Sequence, residues 1–122
     1  MSKLSAFITQ LTNLVEELHA LYPKDSDILM GKNSLYLIKK TNPRKLLNLF
    51  REHVLPYETF IIDKDEKFFL NNTYKDQLQG QYNDSLQTIL NLKKYWSSMS
   101  DNTKKNIWLY FNILVKLCKM CN

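Results

Sequence analysis

Two cysteines, Cys118 and Cys121, stand in the stretch CKMC close to the last residue of the chain. C-x-x-C spacing suits thiol–disulfide exchange when the pair opens a helix, because the positive end of the helix dipole lowers a thiol pKa. It suits zinc when further cysteines or histidines complete a set of four ligands. Here the pair closes a helical pattern, where the same dipole raises a thiol pKa. There is no second cysteine pair, and His19 and His53 lack ligand spacing. The expectation is core thiols or simply a frayed terminus, with no metal and no other cofactor.

The stretch DKDEKFFLNNTY (63–74) opens like a calcium-binding loop. Such a loop needs glycine at its sixth position and a glutamate at its twelfth, and this chain has Phe68 and Tyr74 there. The acids instead suit the start of a short helix carrying two buried phenylalanines. Glycine occurs only at positions 31 and 80, so no glycine-rich phosphate loop is possible. Glu16, Glu17, Glu52 and Glu58 are scattered on polar faces, and neither histidine is spaced to activate a serine or cysteine. No catalytic residue and no small-molecule substrate are expected, so the chain is read as no enzyme.

The lysines carry more. Residues 1–92 hold eleven basic and eleven acidic side chains, whereas residues 93–122 hold six lysines and one aspartate, so the whole net charge of +5 lies there. Lys93, Lys94, Lys104, Lys105, Lys116 and Lys119, with Tyr95, Trp96 and Trp108, are candidates for contacts with phosphates or an acidic partner. Lysines that neutralise phosphates beside rings that stack on bases are the tools of nucleic-acid binding. Against this, the rings fall on apolar faces, and arginine, the better phosphate fork, is absent from the segment. Lysines late in a helix also complement its dipole.

These groups are set on helices. Residues 107–121, IWLYFNILVKLCKMC, are apolar at twelve of fifteen positions. At 100° per residue, Lys105, Asn112, Lys116 and Lys119 share an arc of about 60°, leaving the rest of the cylinder apolar. Such a helix is either enclosed by neighbours or shares a flank with a partner molecule. Ile107, Phe111, Leu114 and Cys118 form its central face. Trp108 and Val115 lie on one shoulder, with Leu109, Ile113 and Met120 on the other. Trp108, Leu109, Ile113, Val115 and Met120 are the candidate protein interface.

Upstream, Leu4, Phe7, Ile8, Leu11, Leu14, Val15, Leu18, Leu21 and Tyr22 recur at spacings of three and four, predicting a helix over 3–22 closed by Pro23. KDSD offers caps for a helix over 28–40, which Gly31 and Asn33 weaken, so that one helix or two shorter pieces are expected. Asn42 and Pro43 open a third, which Pro56 ends or kinks. Residues 57–63 suit either helix or extended chain. Residues 71–84 read as a mobile loop. Asp84 or Ser85 then caps a helix reaching Trp96, and Ser100 caps the last one, making a C-terminal helical hairpin.

At 122 residues the chain has the size of one domain and buries enough surface to need no disulfide or metal. Two cysteines point to a reducing, intracellular setting. No signal peptide is visible, and the longest apolar run is too short to span a membrane.

The element DKDEKFFLN, followed by ILNLKKYWSSMSDNTKKNIWLYFNILVKL, resembles small helical proteins and helical segments of nucleocytoplasmic large DNA viruses. The likeness runs over residues 54–117 and rests on Phe68, Phe69, Trp96, Ile107, Trp108, Tyr110 and Leu114. It implies a helical fold and a viral origin, in host-cell cytoplasm or virion, and brings no active site.

The sequence thus predicts a single all-α domain over 1–122, a compact bundle of five or six helices with a central C-terminal hairpin. The expected role is non-enzymatic: a structural or adaptor component that binds another protein, or itself as a homo-oligomer. The alternative is a nucleic-acid-associated accessory protein acting through the basic hairpin.

Overall fold

A computed structural model describes residues 2–71 and 92–121. It is an all-helical bundle: α1 (Lys3–Leu21), α2 (Ser26–Thr41), α3 (Pro43–His53), α4 (Glu58–Ile62), α5 (Glu66–Asn71) and α6 (Asp101–Met120). Short 3-10 turns cover Leu55–Tyr57 and Trp96–Ser98, and residues 92–95 are helical. Among the described residues there is no strand. None of their helices is long and apolar enough to cross a membrane.

The helix starts follow from the side chains at their boundaries. The Ser2 hydroxyl accepts from the Ser5 N–H at 3.0 Å, and Ser100 accepts from the Thr103 N–H at 3.1 Å. Asp25 does the same for α2, one carboxylate oxygen accepting from Asp27 and Ile28 at 2.9 and 3.0 Å. These bonds satisfy amides that the first turn leaves without carbonyl partners. Asn42, the expected cap of α3, makes no side-chain cap bond; α3 begins instead on the fixed φ of Pro43. Gly31 does not interrupt α2, which runs through it. Residues 57–63, undecided from sequence, are mostly the helix α4. Lys64 turns the chain into α5 through a left-handed backbone, φ 53°.

α1 packs against α2, α3 and α6, while α6 packs on α1, α3 and α4. The core between them contains Phe7, Leu14, Leu18, Leu47, Phe50, Leu114 and Cys118, with Phe7 meeting the Phe50 ring edge-on at 5.2 Å. Trp96 closes one side and meets Phe69 and Trp108 at 5.2 and 5.6 Å. Of the two phenylalanines expected to be buried in α5, Phe69 is half-buried, and the Phe68 side chain lies outside what is described. The first arm of the predicted hairpin and the loop over 71–84 fall mostly on residues 72–91, also outside the described residues.

Candidate protein interface

The face of α6 predicted for the core is there: Ile107, Leu114 and Cys118 are buried and Phe111 is half-buried. The two shoulders part company. Val115 is 1% exposed, and Trp108 is half-buried against Trp96 and Phe69. Val115 therefore offers no docking surface, which corrects its candidacy, while Trp108 stays partly exposed. Leu109 at 45%, Ile113 at 40% and Met120 at 51% stay in water. Spaced four and then seven apart, they form one stripe about three turns long.

The wet arc of α6 is therefore wider than its polar arc. Counted from Ile107, its exposed side chains from Lys105 onward span about 120° to 240°. Lysines fill the first half, and Leu109, Met120 and Ile113 fill the second. Asn112, half-buried within the polar arc, donates to the Ile61 carbonyl of α4 at 3.2 Å and to the Trp108 carbonyl at 2.8 Å. It serves packing, not solvent.

The end of α6 is closed from outside the helix. The Arg51 guanidinium of α3 donates to the Cys118 carbonyl at 3.4 Å and to the Cys121 carbonyl. A cation at a helix C-terminus also meets the negative end of the dipole. Cys118 and Cys121 are free, buried thiols. Burial pushes the Cys118 thiol up, and the nearby Arg51 charge only partly offsets that. A raised thiol pKa in an apolar setting is the opposite of an activated nucleophile.

The six candidate lysines do not share one face. Lys119 is ion-paired with Glu58 at 2.7 Å. Lys94 lies over the Tyr95 ring at 5.1 Å and Lys104 over Trp96 at 5.6 Å, and Lys93 is half-buried. Lys105 and Lys116 are exposed on α6, make no ion pair among the described residues and border the apolar stripe.

Tyr95 joins the segment before α6 to the α1–α2 corner. Its hydroxyl donates to the second Asp25 carboxylate oxygen, and its ring stacks on Tyr22 at 3.9 Å. Desolvation pushes the Asp25 carboxyl up, but the Tyr95 bond, the capped amides and the Lys94 charge together hold it below its usual value. The bond to Asp25 pushes Tyr95 up to about 12. Between α1 and α2, Glu16 pairs with Lys32 at 3.3 Å and accepts from Tyr36.

Two apolar pockets, each partly open to the surface, measure about 60 Å³ beside Trp96 and Trp108 and about 100 Å³ between α1, α2 and α3. A cavity of roughly 150 Å³ is what admits benzene, so both are packing gaps. The Trp96 ring lines the first, and its buried N–H has no acceptor among the described residues. Sequence reasoning missed a second exposed apolar set, Leu29, Met30, Tyr36 and Leu37 on α2. The signal was available, since apolar residues in 28–38 exceed one helical face. No protein-family model, curated protein or solved structure matches the chain.

Proposed function

We propose that the protein is a non-enzymatic binding component that docks another protein on the outer shoulder of α6. The observation that carries this is the stripe of Leu109, Ile113 and Met120, each at least 40% exposed on a regular helix. Covering half-exposed side chains of this size contributes about 1 kcal/mol each. Association itself costs on the order of 4 kcal/mol or more. Three residues therefore do not suffice, and the partner also engages the lysine flank. A structural or adaptor role fits such a surface, and the resemblance to helical proteins of large DNA viruses would set it in a virion or host cytoplasm. Free thiols at Cys118 and Cys121 suit a reducing compartment.

The test replaces Leu109, Ile113 and Met120 together by Glu. Partner co-purification from the cells that make the protein should vanish while the helical circular dichroism signal and Tm stay near wild type. Retained capture would remove the surface from the account. Binding of nucleic acid through the basic segment is the second reading, and exposed Lys105 and Lys116 are what favour it.

A further inference from the structure

We infer that the occupant of the α6 shoulder is an amphipathic helix with acidic residues along one edge of its apolar seam, an inference that rests on the protein-docking reading above.

Leu109, Ile113 and Met120 follow one another at spacings of four and seven, with Lys116 at the edge of the same face. Those spacings fit a coiled-coil seam, in which side chains of a facing helix interdigitate over successive turns. The stripe is about 16 Å long at 1.5 Å per residue, so a facing helix of three to four turns covers it. A wider globular surface is not required by the shape.

Charge then selects among helices. Lys105 and Lys116 flank the stripe on one side and make no ion pair among the described residues. From Asn102 to Met120, α6 contains no Asp or Glu. A second copy using the same face would bring lysines and no carboxylate from this length of α6, and its neighbouring Glu58 is already held by Lys119. Lys105 and Lys116 would be left without counter-charge as water is displaced. Like charges brought together at an interface disfavour that pairing. A phosphate backbone would answer the lysines but leave the apolar stripe uncovered. A helix with Leu or Ile in its seam and Glu or Asp on the matching edge answers both. Lys119, held by Glu58, is outside the set.

The experiment pans the full-length protein against a displayed library of four-turn helical peptides. Their seam positions are fixed as Leu or Ile, and their flanking positions are varied among Glu, Ala and Lys. The expected enrichment is Glu on one edge. Selected peptides should bind the double variant Lys105→Glu/Lys116→Glu more weakly by roughly three- to tenfold. Panning against that variant should turn the selected edge to Lys. Enrichment of neutral or basic edges would overturn the acidic partner while leaving the docking surface standing. Enrichment unaffected by Leu109→Glu/Ile113→Glu, or no enrichment at all, would overturn the docking surface itself. Concentration-dependent dimerisation that Ile113→Glu abolishes would assign the face to a second copy and overturn the inference. Circular dichroism and Tm of each variant verify that these exposed substitutions leave the fold intact.

Discussion

Ile113 and Leu114 are neighbours in sequence and opposites in environment, 40% and 0% exposed. Leu114→Ala should cost about 3 to 5 kcal/mol, lost transfer energy plus a cavity. Ile113→Ala should stay within about 1 kcal/mol. Urea unfolding of the two variants reads both values, and near-equal losses would mean that the shoulder is packed. The periodicity of 107–120 made the Leu114 outcome legible. The Ile113 outcome was not, because a helical wheel shows which residues share a side but not which side has neighbours. That is also why Val115 and Leu109 looked equivalent in sequence and are not in the fold.

Protonation separates folded from unfolded chain at the Tyr95–Asp25 bond. Tyr95 holds its proton to about 12 in the fold, so its contribution is complete below the ordinary tyrosine value and is lost as pH rises from about 10 to 12. Asp25, held below its usual value, contributes above the ordinary carboxylate range and loses that as pH falls through its lowered pKa. Tyr95→Phe should flatten the alkaline limb of a stability-against-pH curve. Part of that limb should remain, since Tyr22, Tyr36 and Tyr110 are also raised. An unchanged limb would mean that Tyr95 and Asp25 are apart in solution.

At the scale of elements, α6 is fixed by different devices at its two ends. Ser100 closes its start through a local bond that the sequence announces. Arg51, sixty-seven and seventy residues away in sequence from the carbonyls it binds, closes its end. Arg51→Met should destabilise by about 1 to 2 kcal/mol and speed amide exchange in the last turn more than in the first. Uniform acceleration along α6 would contradict this role. Local caps at Asp25 and Ser100 were legible because an N-cap acts within three residues. The Arg51 contact was not, since nothing in the pattern of α3 tells where its basic face will land. Asn42 shows the converse: a favourable cap residue went unused where Pro43 already set the first turn.

Across the whole molecule, the helical class followed from composition and periodicity, but the distribution of charge in space did not. Of six lysines clustered in thirty residues of sequence, the fold disperses five onto rings, an acid and one open edge, and half-buries Lys93. The net charge of +5 draws the chain to polyanions at low salt. Because Lys105 and Lys116 are the lysines of the exposed arc of α6 without an ion pair among the described residues, the log–log slope of DNA retention against salt should be about −2, whereas six acting lysines would give about −5. The steeper slope, abolished by Lys-to-Glu changes across the segment, would move the balance to the nucleic-acid reading.

α6 keeps one flank in the core and leaves the other, the proposed docking face, in water. Hydroxyl-radical footprinting of the folded, isolated chain tests this directly. Leu109, Ile113 and Met120 should be oxidised at rates typical of exposed side chains of their types, while Ile107, Leu114 and Val115 stay protected. A bound partner should then shield the first three alone. Protection of Leu109, Ile113 and Met120 in the isolated chain equal to that of Leu114 would contradict the account.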